Sequence, residues 1–86
     1  MHKSFDLMGR PVRDVVTGLE GICDSICFDL YGCIQASVRP TGLTKEGETK
    51  PAHWYDVKRL KPIGKPVMAV PDFKMPEIGS ASKAPR

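Results

Sequence analysis

No stretch of this 86-residue chain approaches the roughly 20 consecutive apolar residues that a membrane-spanning helix needs, so no membrane span is expected. The opening Met1-His2-Lys3-Ser4-Phe5-Asp6 carries one cation and is not followed by the apolar core of a secretory leader. Export is therefore not expected, and the cytoplasm is the expected compartment. Cysteine is sparse and odd in number, with three residues. Cys23 and Cys27, placed on one strand, would stand roughly 13 Å apart at about 3.3 Å per residue, beyond disulfide reach. C-x3-C followed by a lone Cys33 matches no zinc pattern. Reduced, buried or half-buried thiols are the reading, with no metal and no cofactor.

Charge of one sign is not concentrated either. The net charge is +3, but residues 1–63 hold nine cations against eight carboxylates, and residues 64–86 hold four against two. Nucleic-acid binders present a concentrated basic face, so nucleic acid is not an expected partner. A Tudor- or KOW-like reading would rest on Arg10, Arg13, Lys58, Arg59 and Lys61 gathering beside Trp54. Asp14, Glu20 and Asp56 interrupt that set. Helical periodicity is also missing.

What the sequence does have is punctuation, with eight Gly and eight Pro around short β-branched runs. A chain of this size supports one core. Arg10–Val16 reads as a first strand, entered through Pro11 as an edge. Leu19–Phe28 alternates Ile22, Ile26 and Phe28 against Cys23, Ser25 and Cys27. Asp24 breaks the alternation and marks a candidate bulge. Asp29-Leu30-Tyr31-Gly32 is a turn, and Cys33–Arg39 alternates again through Ile34, Ala36 and Val38, so these two strands form the central hairpin. Pro40–Pro51 has the composition of a solvated loop. His53–Asp56 is a fourth strand, Val57–Leu60 a single helical turn, and Lys61–Ile63 a last strand.

Short strands at turn-rich spacing predict an all-β domain, a small SH3-like five-stranded barrel over 1–63. An extended Pro-rich arm follows over 64–86, with 79–86 expected to be disordered. The expected core is Val12, Ile22, Ile26, Ile34, Ala36, Val38, Tyr55 and Leu60. Adjacent strand residues face opposite sides, and the assignment taken is Tyr55 inward and Trp54 outward. Gly18 and Gly21 suit a tight turn and a close backbone approach.

Met8-Gly9-Arg10-Pro11-Val12-Arg13-Asp14, Val16-Thr17-Gly18-Leu19-Glu20-Gly21-Ile22, Leu30-Tyr31-Gly32-Cys33 and Trp54-Tyr55-Asp56 with Leu60 together resemble a widespread group of small proteins of unassigned function. These occur in phages and in mobile elements such as integron cassettes. The resemblance covers roughly Leu7 to Ile63 and implies a small barrel.

No catalytic constellation is legible: His53 has no nucleophile or second carboxylate fixed beside it. The expected function is a non-enzymatic protein-interaction module, with Trp54, His53, Tyr31 and Arg59 as the partner-binding residues and a host or phage protein as a partner. A second reading is an oligomeric barrel enzyme resembling the type II dihydrofolate reductases. Their Val-Gln-Ile-Tyr strand is replaced here by His53-Trp54-Tyr55-Asp56, and the analogy is one of fold alone.

The arm carries six large apolar residues within 67–78, a density foreign to a free linker. Val67, Met68, Val70, Phe73 and Met75 are expected at contacts with a neighbouring copy in a dimer or tetramer. The competing expectation is that the arm folds back over its own domain.

Overall fold

Alternating runs separated by glycine turns become five antiparallel strands in the computed structural model, which describes residues 2–72. The strands are β1 (Pro11–Asp14), β2 (Glu20–Phe28), β3 (Ile34–Pro40), β4 (His53–Asp56) and β5 (Leu60–Pro62). Two 3-10 turns, η1 (Lys3–Leu7) and η2 (Val57–Arg59), lie before β1 and between β4 and β5. Among the described residues no helix is long and apolar enough to cross a membrane.

The sheet order is β4-β3-β2-β1-β5. β2 and β3 make the long central pairing, from Gly21 opposite Pro40 to Phe28 opposite Ile34. The all-β expectation holds, but the sheet does not close into a barrel: β4 pairs with β3 alone and β5 with β1 alone. η2 takes up the chain between these outer strands, and β5 is three residues long and ends at Pro62, which has no N–H to donate. Nor is β1 an edge. It lies between β2 and β5, and Pro11 is tolerated because it occupies the first position of the strand.

Two glycines are dictated by geometry. Gly18 turns β1 into β2 at φ +82°, a conformation that a Cβ disfavours. Gly21 has ordinary φ but lies against β3, where a Cβ would stand 2.4 Å from the Arg39 carbonyl oxygen and 2.9 Å from Val38 Cγ1.

The core is Leu7, Val12, Cys23, Ala36, Val38 and Leu60, with Leu19, Ile26, Tyr55 and Val57 packed against it. Tyr55 therefore faces inward and Trp54, 53% exposed, faces outward. Ile22 departs from expectation, being half-buried outside the core while Cys23 is fully buried. The register explains this. Cys23 pairs with Val38 and Ser25 with Ser37, so Asp24 is an extra residue, a β-bulge. One inserted residue reverses the parity of the strand, so Cys23 before the bulge and Ile26 after it reach the same core. Ile34 is also only half-buried, at the outer end of the hairpin.

The described part of the arm turns back on its own domain. After β5, Ile63 donates its N–H to Pro11 O (2.9 Å) and Val67 donates to Gly9 O (2.8 Å). The chain thus continues along the extension that precedes β1. Phe73, Met75, Ile78 and the 79–86 end lie outside the described residues.

Candidate partner-binding surface

The four residues singled out in sequence do not form one site. His53 and Trp54 sit on the outer strand β4. Opposite Trp54 on β3 is Ser37, buried to 7% exposure although it points to the outer face. Tyr31 stands at the tip of the β2–β3 hairpin, 87% exposed. Asp29 holds that tip: its Oδ1 accepts from the Tyr31 and Cys33 amides at 2.9 and 3.0 Å, and Gly32 makes the return at φ +91°. A small hollow of about 160 Å³ brings Tyr31, Cys33 and Ile34 beside Asp56, Val57 and Lys58.

Arg59, with its side chain 39% exposed, reaches from the surface to a buried carboxylate. Its guanidinium donates from Nε to Asp14 Oδ1 (2.9 Å) and from Nη2 to Asp14 Oδ2 (2.7 Å), and it lies 5.3 Å over the Tyr55 ring. The Asp14 side chain is fully buried. It also accepts from the Thr17 hydroxyl (2.6 Å) and from the Val16 and Thr17 amides. The Arg59 fork, above all, holds the Asp14 carboxyl well below the usual carboxylate range against the opposing effect of burial, and the hydroxyl and the two amides add to it. Asp14 correspondingly holds the Arg59 proton more tightly. A bidentate pair of this kind positions the β1–β2 turn against η2. Arg13 pairs with Glu20 at 2.6 Å, and Arg10 donates to Gly64 O at 3.0 Å. Of these cations, Arg13 and Arg59 are each matched by a carboxylate.

A larger concavity lies elsewhere. Met8 and Gly9, the bulged stretch Ile22–Ile26 and the arm segment Val67–Pro71 enclose an open groove of about 460 Å³. Its walls are predominantly apolar: Met8, Ile22, Ile26, Val67, Met68 and Val70. Among the described residues Asp24 is the one charged side chain that lines it, and it faces Arg39 at 3.4 Å. Gly9, at φ +80°, lies directly under the arm wall, with Met68 O and Pro66 its nearest neighbours there.

Cys23 lies at the sheet side of this groove, with its Sγ 3.8 Å from Ser25 O. Burial pushes its thiol up to about 11, and Asp24 nearby adds to the rise. It remains a protonated thiol at neutral pH, poorly suited to nucleophilic chemistry. Cys27 and Cys33 are exposed and free. Among the described residues no three His, Cys, Asp or Glu side chains gather as a metal site. What the groove can do chemically is desolvate apolar groups.

The sequence does not announce this groove, because its walls come from three segments up to about sixty positions apart. Its legible traces are the uninterrupted Val67-Met68-Ala69-Val70 run and the parity break at Asp24. No family model matches the chain, and no curated protein or solved structure matches it.

Proposed function

We propose that this protein is a non-enzymatic protein-interaction module of SH3-like architecture, and that the groove between β2 and the arm is its recognition site. The observation that carries the reading is the pairing of size with lining: about 460 Å³ of predominantly apolar concavity on a domain of this size, within the range of ligand and peptide-anchor pockets. Exposed concavities of this kind mark interaction sites. Support for the architecture comes from the strand order β4-β3-β2-β1-β5 and from the 3-10 turn that precedes the last strand. Trp54 and Tyr31 offer secondary anchors at the other end of the sheet. The proposed setting is the cytoplasm, and a host or phage protein is the proposed client, in keeping with the sequence resemblance.

The test is selection of peptides from a random display library on the immobilised full chain, with Ile22→Ser as the counter-target. Peptides with apolar anchors that bind the native chain at micromolar Kd and lose at least tenfold on the variant are expected. Enrichment that ignores Ile22, or no enrichment at all, overturns the assignment of the groove.

A further inference from the structure

We infer that Cys27 and Cys33, at the tip of the β2–β3 hairpin, form a two-thiolate site for a soft monovalent metal ion, copper(I).

The backbone pairing sets the two thiols side by side. Cys27 lies opposite Gln35 in the central ladder, and Phe28 opposite Ile34. The Asp29 amide then donates to Cys33 O at 3.0 Å, so Asp29 and Cys33 carry the pairing one step further. Residues paired across strands share a face, and so do residues two apart on one strand. Cys27, Asp29, Cys33 and Gln35 therefore stand on one face, with the two cysteines on its diagonal. Both are exposed and free. The third cysteine, Cys23, is buried in the core on the other side of the sheet.

The width of this diagonal decides what can join the sulfurs. Diagonal neighbours of an antiparallel pair stand about 7–8 Å apart, whereas a disulfide joins Cα atoms about 4.4–6.8 Å apart, with its sulfurs at about 2.05 Å. A disulfide would need the tip to move. The tip is held against that, because Asp29 Oδ1 accepts from the Tyr31 and Cys33 amides at 2.9 and 3.0 Å. An ion placed between the sulfurs removes the difficulty. With metal–sulfur bonds of about 2.3 Å, two sulfurs in line with the metal stand roughly 4.6 Å apart, about 2.5 Å more than in a disulfide. That extra length spans the diagonal without moving the strands.

Donor type and number select the ion. Thiolate sulfur is soft and favours copper(I), zinc and iron–sulfur clusters over hard cations. Zinc takes three or four protein ligands, and among the described residues no third His, Cys, Asp or Glu joins such a pair. Copper(I), with a filled d shell and a single charge, is satisfied by two thiolates in line. Loading is a proton exchange with no change of oxidation state. Each thiol gives its proton to water, two sulfur–copper bonds form, and the copper remains copper(I).

Anaerobic titration of the reduced full chain with the acetonitrile complex of copper(I), in competition with bicinchoninate, tests this on the native chain, on Cys27→Ser, on Cys33→Ser and on the double variant. Thermal melts establish that the variants are folded, and alanine replaces serine where they are not. The native chain is expected to take one copper(I) from the chelator, with sulfur-to-copper absorption in the ultraviolet. Each single variant should bind at least tenfold more weakly and match the double variant, because one thiol cannot chelate. Single variants within tenfold of the native chain, or a native chain no tighter than the double variant, overturn the inference. Sedimentation of the loaded chain separates a site within one chain from a bridge between two: unchanged mass is expected, and a copper-linked dimer overturns the intrachain site.

Discussion

Replacing Gly21 by alanine adds one methyl group, and the sheet has no place for it. Gly21 sits in β2 opposite Val12 of β1 and Pro40 of β3. The added Cβ would stand 2.4 Å from the Arg39 carbonyl oxygen and 2.7 Å from its carbonyl carbon. The obstacle is backbone, so no rotamer change relieves it, and β3 must move away from β2 where Ile22 pairs with Arg39. Overpacking of this kind costs typically 1–3 kcal/mol, and a weakened ladder hydrogen bond adds about 1 kcal/mol. Alanine recovers about 0.5–1 kcal/mol because it has less chain entropy to lose than glycine. The expected net loss is about 1–3 kcal/mol, or roughly 5–20 °C in Tm for a domain of this size.

Gly18→Ala is the internal control. There φ is +82° but nothing lies within 4 Å of a Cβ. Only the left-handed conformation is penalised, by roughly 1–2 kcal/mol, less the same entropy gain. Urea unfolding followed by the emission of the single tryptophan, Trp54, with thermal melts by circular dichroism, measures both. Gly21→Ala within about 0.5 kcal/mol of the native chain, or less damaging than Gly18→Ala, would refute the close approach of β2 and β3.

Three further outcomes follow from the same contacts. Val12, fully buried, should lose about 2–3 kcal/mol on truncation to alanine, while half-buried Ile34 should lose less despite its larger side chain; urea midpoints for the two variants give the order, and the reverse order would misplace the core. Asp14 is held deprotonated in the fold, so its contribution is present above the unfolded carboxylate value of about 4 and is lost as pH falls below that toward the lower folded value. The urea midpoint of the native chain should therefore drop between pH 5 and 2, while Asp14→Asn starts lower at pH 7 and runs flatter; parallel curves would contradict the Arg59 fork. At pH 8 a disulfide reagent should titrate Cys27 and Cys33 quickly and Cys23 only after unfolding, since Cys23 is buried and its thiol is pushed up to about 11. Three equally fast thiols would place Cys23 outside the core.

Much of the sheet was legible because its signals are local. Alternation in 34–38, the glycine turn at 18 and the short aromatic strand at 53–56 each specify their own geometry, and the observed strand bounds differ from the expected ones by a few residues. Parity carried Ala36 and Val38 into the core correctly, where Val12 and Leu60 also lie as expected. It misjudged Ile22 because a bulge reassigns faces, and a sequence shows where alternation fails without showing which half of the strand keeps its face. Arg59 was read as a partner-binding residue with no sign of its ion pair, because Asp14 is 45 positions away. The local part of Asp14's role, the capping of Val16 and Thr17, was readable, whereas the ion pair depends on η2 returning beside β1. η1 went unread for a related reason. Its anchoring contacts are Phe5 stacked on Phe28 at 5.6 Å and His2 edge-on to Phe28 at 5.3 Å, and no helical periodicity announces so short a turn.

The bulge at Asp24 connects the fold to the proposed site. Without the inserted residue, regular alternation would set Cys23 and Ile26 on opposite faces of β2; with it, both turn to the core, and the strand bends where Ile22–Ile26 forms the sheet side of the groove. A concave wall on an otherwise regular strand requires some such irregularity. Asp24 itself, pushed out of the ladder, is left to face Arg39, which in turn donates to Lys50 O at 3.0 Å and so ties the 41–52 loop to the same edge of the groove. The arm supplies the opposite wall, held there by the Val67 amide donating to the Gly9 carbonyl at 2.8 Å. The groove is therefore a product of two backbone features, one extra residue that interrupts the β2 ladder and one left-handed turn before β1 that glycine adopts without steric penalty. Together they set apolar side chains of β2 and of the arm around one hollow, which is why the concave face between β2 and the arm, rather than the aromatic pair on β4, is the proposed contact.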